Sequence, residues 1–136
     1  GEGEDYTVLE DIIKEKKLGS KIELIGKIDH SELRFYYSSC DLYISASTFE
    51  VCPVPTLEAM ACGKPLVLSN IEPHKEMINA SKAGKIFSKS NPEEILTVVS
   101  EVFQDQKNLG TLGRKFTEVH DWSVISKQMA EIFESV

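Results

Sequence analysis

A chain of 136 residues is of one-domain length, and 41% apolar with 27% charged residues is ordinary for a globular fold. The formal net charge of −7 argues against a nucleic-acid or anionic-membrane surface, and no apolar run approaches the roughly 18 residues of a membrane span. The three cysteines, Cys40, Cys52 and Cys62, form no CxxC pair and read as free thiols of a reducing compartment; without a signal peptide, a cytoplasmic chain is expected.

Apolar spacing places a first helix over residues 5–18, where Val8, Leu9, Ile12 and Ile13 share a face, with Gly19 as its stop. Residues 21–26 read as a short strand containing Ile22, Leu24 and Ile25. Asp29 followed by Glu32 has capping-box spacing, and the helix it opens carries Leu33, Tyr36, Tyr37 and Cys40 as a core stripe. Residues 41–45 and 65–69 read as strands flanking a loop and a helix that stops at Gly63. Asn70–Pro73 signals a turn, residues 74–79 a short helix, and residues 84–87 a last strand. Asn91-Pro92-Glu93-Glu94 is a helix start with an N-cap and a proline at N1, and its helix carries Ile95, Val98, Val99, Val102 and Phe103 on one face. A further helix over residues 107–119 turns Leu109, Leu112, Phe116 and Val119 inward. Asp121 caps the last, which holds Trp122, Ile125, Met129, Ile132 and Phe133.

Strands alternating with helices predict an α/β fold with a parallel sheet and helices on both faces, followed by a helical tail. With no linker or internal repeat, one domain over residues 1–136 is expected.

The chemistry concentrates between the strands at 41–45 and 65–69. Glu50 falls in a loop just past a strand end, and Glu58 falls early in the next helix if Pro53 or Pro55 is N1. In a βαβ unit ligands collect there, because unpaired N–H groups at the helix N-terminus favour anions. Carboxylates at the same edge can accept hydrogen bonds from a ligand's hydroxyls, so a sugar at each end of a diphosphate would match both features. From the residues alone a plainer alternative stays open: Glu58 complements the helix dipole and Glu50 is a solvated loop residue. His30, His74 and His120 have no metal-ligand spacing and no acidic cage accompanies them, so no metal is expected. Cys52 has no evident base and reads as a packed thiol.

Ser47-x-x-Glu50, seven residues, then Glu58-Ala59-Met60-Ala61-Cys62-Gly63-Lys64-Pro65-Leu66-Val67 resembles the E-x7-E signature of retaining glycosyltransferases, nearest to family 4 with the GT-B fold. Ile22–Gly26, Leu33–Tyr37, Asp41–Ile44 and Gly84–Phe87 with the Asn91 helix start resemble flanking segments of that family in the same order, so the resemblance covers nearly the whole chain. It implies the Rossmann-like, C-terminal half of a GT-B fold, binding a nucleotide-sugar donor without a metal or other cofactor. It also implies transfer of the sugar, with retention, to a saccharide or lipid-linked acceptor. Glu50 would sit near the transferred sugar as the catalytic residue, and Glu58 would hydrogen-bond the ribose hydroxyls. Val51, Cys52, Pro53, Val54, Thr56 and Leu57 would lie near the sugar and diphosphate, Gly26, Lys27 and Ile28 against the nucleobase, with Ser47 in support. A non-catalytic nucleotide-sugar-binding module and a GT-B sugar-nucleotide epimerase are the alternatives.

Two departures from the family pattern matter. Where the family commonly has Gly-Phe-Gly-Leu-Pro after the first glutamate, this chain has Val51-Cys52-Pro53-Val54-Pro55, and Pro53 removes one N–H. The second concerns the family's basic pair, an Arg and a Lys that neutralise the departing diphosphate. With Gly1-Glu2-Gly3 resembling the end of the second strand, that pair, the first strand and the acceptor domain are expected to be absent, leaving an N-terminally truncated domain. In the order 3-2-1-4-5-6 the absent strands would lie between those at 21–26 and 41–45. Exposed strand edges and self-association of the chain are then expected. The chain alone should be inactive, and any peripheral attachment at the inner membrane face would come through the absent half.

Overall fold

The computed structural model describes residues 3–88 and 91–135. Its elements in chain order are α1 (Tyr6–Glu15), α2 (His30–Ser39), β1 (Tyr43–Ser45), α3 (Val54–Ala61), β2 (Leu66–Ser69), α4 (Glu72–Ser81), β3 (Gly84–Phe87), α5 (Pro92–Gln104), α6 (Gln106–Glu118) and α7 (Trp122–Glu134). They fall into two compact units, Gly1–Leu33 and Arg34–Val136.

In the first unit α1 ends earlier than Gly19. Lys17 takes the left-handed conformation at φ 54°, and the N–H groups of Lys17 and Leu18 donate back to the carbonyls of Lys14 and Ile13. That is a Schellman closure, made here by a lysine. Residues 21–26 form no strand. Extended backbone becomes a strand by pairing, and the described residues of this unit offer no second strand to pair with. Ile22 and Ile25 are accordingly exposed.

The second unit is built on a three-stranded parallel sheet in the order β1-β2-β3, with Tyr43 opposite Leu66 and Leu66 opposite Gly84. Consecutive parallel neighbours joined through α3 and α4 match one flank of a doubly wound sheet. The central strand β2 is buried throughout, and its alternation feeds two cores. Leu66 and Leu68 pack with Ala59, Met60 and Ala83 on one face; Val67 packs with Phe87, Val98 and Val102 on the other. The expected α/β fold with helices on both faces is therefore present. β1 is an edge strand whose Ile44 is exposed.

Local start and stop signals act as the sequence leads one to expect. The Asn91 side chain accepts hydrogen bonds from the N–H groups of Glu93 and Glu94, and the Asp121 side chain accepts from that of Ser123. α3 closes on Gly63 at φ 70°, with Gly63 N–H on the Met60 carbonyl and Lys64 N–H on the Ala59 carbonyl. α4 is longer than the expected 74–79, because Glu72 and Pro73 start the helix rather than a turn. On α6 the buried positions are Gly110 and Gly113, whereas Val119 is exposed; the glycines let the helix approach α3 closely. α7 forms as expected but buries none of its apolar stripe fully: Ile125 is half-buried, and Trp122 is 82% and Phe133 74% exposed.

Candidate functional site

α3 begins at Val54 with Pro53 as its N-cap and Pro55 inside the first turn, so Glu58 is the fifth residue of the helix and stands in its second turn. Its Oε2 accepts a hydrogen bond from the Tyr37 hydroxyl at 3.1 Å. Tyr37 in turn meets Tyr43 edge-on, with ring centroids 6.1 Å apart. Burial, then the hydrogen bond and charge of Glu58, push the Tyr37 phenol well above its ordinary value. Burial also raises that of Tyr43. The Thr56 and Ser45 hydroxyls beside it oppose the shift, and the charges of Glu50 and Glu58 add to it. Both carboxylates thus act on one phenol. The Thr56 hydroxyl is buried outside hydrogen-bond geometry and has no partner among the described residues.

The backbone donors are arranged differently from the expectation of a free helix N-terminus. In the first turn of α3, Val54 N–H donates to the Cys52 carbonyl and Thr56 and Leu57 N–H to that of Pro53, while Pro55 has no N–H. The free donors lie earlier, in the loop. Among the described residues, the N–H groups of Thr48, Phe49, Glu50, Val51 and Cys52 make no hydrogen bond. The proline pair tightens the helix start and closes that end on itself.

Ser47 is fixed before this loop begins. Its carbonyl accepts from the Ser69 hydroxyl at 2.6 Å, and its N–H faces the Ser45 hydroxyl at 3.4 Å. Val51, Cys52, Pro53 and Leu57 line a groove of about 330 Å³ whose far wall includes Pro73 and Met77 of α4. Val54, beside them, is exposed. Gly26 and Ile28 line a separate cleft of about 400 Å³ in the first unit with Tyr6, Leu9 and Leu24, and Lys27 is exposed. Sequence reasoning missed Tyr37, read as part of a core stripe, and also Tyr43, Ser69 and His74. The tyrosines had helix and strand periodicity as their only signal, and periodicity does not report the polar end of a ring. Among the described residues, no three His, Cys, Asp or Glu side chains gather to hold a metal ion. No helix among them is long and apolar enough to cross a membrane.

A three-stranded parallel sheet covered by helices on both faces is a Rossmann-like domain, the fold of the C-terminal half of GT-B proteins. A sucrose-phosphate synthase from Thermosynechococcus elongatus has this fold: its structure matches 98% of the chain at TM-score 0.83 and 24% identity, using 34% of its own length. A family model, Glycosyl transferases group 1, matches residues 1–118, and the chain belongs to that family. It is 29% identical over 114 residues to the alpha-monoglucosyldiacylglycerol synthase of Acholeplasma laidlawii, across 84% of this chain and 28% of that protein. It is 25% identical over 133 residues to a phosphatidyl-myo-inositol mannosyltransferase of Mycolicibacterium smegmatis, across 93% of this chain and 34% of the relative. The chain thus spans 28% and 34% of the length of these relatives.

Proposed function

We propose that this chain is the donor-binding part of a retaining glycosyltransferase that moves a sugar from a nucleotide sugar to a saccharide or lipid-linked acceptor. One observation carries the reading: Tyr37 holds the Glu58 carboxylate, and Glu50 sits in a loop whose N–H groups at residues 48–52 make no hydrogen bond among the described residues. In this reading Glu58 accepts hydrogen bonds from the ribose hydroxyls, its carboxylate already oriented before the donor arrives. The N–H groups of residues 48–52 donate to the diphosphate and sugar, replacing water around charge that grows as the sugar–phosphate bond breaks. Glu50 stands by the transferred sugar, where a carboxylate stabilises positive charge developing at the anomeric carbon. The chain spans 28% and 34% of the length of its relatives, and in this reading it is by itself inert and binds nucleotide weakly.

The test uses the full-length protein, calorimetry with nucleoside diphosphates and turnover with the corresponding nucleotide sugar. Glu58→Gln is expected to weaken nucleoside diphosphate binding roughly tenfold, the scale of one hydrogen bond to a charged group. Glu50→Gln is expected to leave that binding intact and lower kcat by about 100-fold, the scale of a lost electrostatic group at the reacting centre. Unchanged binding and turnover in both variants would sink the reading. Tight donor binding with no transfer to any acceptor would favour the non-catalytic module.

A further inference from the structure

We propose that His74 is a positioning residue that holds the start of the Glu50 loop through Ser69. His74 is the third residue of α4 and is fully buried. Its Nδ1 lies 3.1 Å from the Ser69 carbonyl oxygen and 3.2 Å from the Ser69 hydroxyl. A carbonyl oxygen only accepts, so Nδ1 carries the hydrogen. The Ser69 hydroxyl spends its own hydrogen on the Ser47 carbonyl, and towards His74 it is therefore an acceptor. The direction of every bond in the relay is fixed: His74 donates to Ser69, and Ser69 donates to Ser47.

The place of Ser47 gives the relay its consequence. Beyond it the N–H groups of residues 48–52 are free among the described residues, and the next anchored carbonyl is that of Cys52, which accepts from Val54. Glu50 is therefore slung between two fixed points, and the upstream one is held by a side chain from another element. Ser69 ends β2 and His74 lies in the first turn of α4, so the relay ties the loop to the sheet and to the next helix at once. Hydrogen bonds in a buried site are stronger than in water, and breaking one leaves its partner unpaired. Nε2, also buried, meets no hydrogen-bond partner among the described residues, so the ring's hydrogen bonding there runs through Nδ1. The role rests on the reading of Glu50 given above.

Three variants test it: His74→Leu, which removes the donor; His74→Asn, whose amide nitrogen can stand where Nδ1 stood; and Ser69→Ala, which removes the middle of the relay. In the full-length protein, His74→Leu and Ser69→Ala are each expected to lower kcat roughly tenfold or more, the effect of a displaced reacting group, with donor KM within about twofold. His74→Asn should recover most of the loss, and the double variant His74→Leu/Ser69→Ala should lose no more than either single one. In this chain without donor, nuclear magnetic resonance should show the Nδ1–H tautomer of His74. Backbone amide shifts of residues 48–51 should move in His74→Leu and Ser69→Ala but not in His74→Asn. Loop shifts unmoved in Ser69→Ala, additive losses, or an equal loss in His74→Asn would each overturn the proposal. If the loop shifts move as expected while Glu50→Gln leaves kcat intact, the relay stands and the role given to Glu50 falls.

Discussion

The helix that carries Glu58 and the loop that carries Glu50 are built by opposite means. α3 buries Thr56, Ala59 and Met60, closes on Gly63, and runs so near α6 that a Cβ on Gly110 would lie 2.1 Å from the Gly63 carbonyl oxygen. Tyr37 then fixes the Glu58 carboxylate from outside the helix. The loop exposes 79% of Phe49 and 83% of Val51 and leaves five successive N–H groups unbonded among the described residues. One carboxylate is held by a neighbouring side chain, whereas the other sits on backbone whose donors are unused among the described residues. Under the function proposed above, the difference assigns cost: ordering on donor binding falls on the loop, and the helix side is already ordered.

The largest effect should come from the frame. A Cβ on Gly84 would stand 1.9 Å from the Leu66 carbonyl oxygen, and backbone, not a flexible side chain, blocks it. Gly84→Ala and Gly110→Ala should each cost at least the about 1–3 kcal/mol of ordinary overpacking, read as a lowered urea midpoint. Gly110→Ala should also loosen the Tyr37–Glu58 bond, because it pushes α6 off the end of α3. If that variant disturbs residues 48–51 as much as it disturbs Tyr37, the two sides are one unit and the contrast is void.

Tyr37→Phe comes next, at about 1 kcal/mol for one hydroxyl hydrogen bond. It carries a pH signature. Both phenols hold their protons more tightly in the folded chain than the ordinary value near pH 10 of an unfolded one. Their contribution to stability is whole below that pH and is lost as pH rises through the folded values. Urea midpoints taken from pH 8 upward should therefore fall above about pH 10, and less steeply in Tyr37→Phe. Asn91→Ala is a control of similar size, about 1 kcal/mol for a lost N-cap, and it should leave the alkaline fall unchanged.

What could be read from the sequence was what neighbours along the chain decide. Asn91-Pro92-Glu93-Glu94 and Gly63 act through bonds that span two to five residues, and they formed as their residue types require. The strand expected at 21–26 failed because pairing is decided elsewhere in the chain. The stripe of α7 was legible as periodicity, but a period does not say what covers it. The site divides likewise. Glu50 and Glu58 stood out from spacing, whereas the Tyr37 bond to Glu58 joins residues 21 positions apart and the Ser69 bond to Ser47 joins residues 22 apart. Pro53 is legible in the sequence as one lost donor, but the closure of the whole first turn of α3 follows from three-dimensional hydrogen bonding.

The smallest effect concerns the thiols, and it separates loop from frame directly. Cys52 is exposed at the groove, whereas Cys40 is half-buried and its thiol donates to the Tyr37 carbonyl at 3.2 Å. Burial pushes the Cys40 thiol up, against the opposing charge of Lys64. Thiolate is the species that reacts with an alkylating reagent, so Cys52 should be labelled first and Cys40 last, read by peptide mass mapping over time. Because α3 starts after Cys52 and draws its burial from Thr56, Ala59 and Met60, a single label on Cys52 should leave the urea midpoint and the alkaline fall where they were. A label there that lowers stability as much as Asn91→Ala would mean that the loop shares the frame's packing, and Glu50 would then be as firmly placed as Glu58.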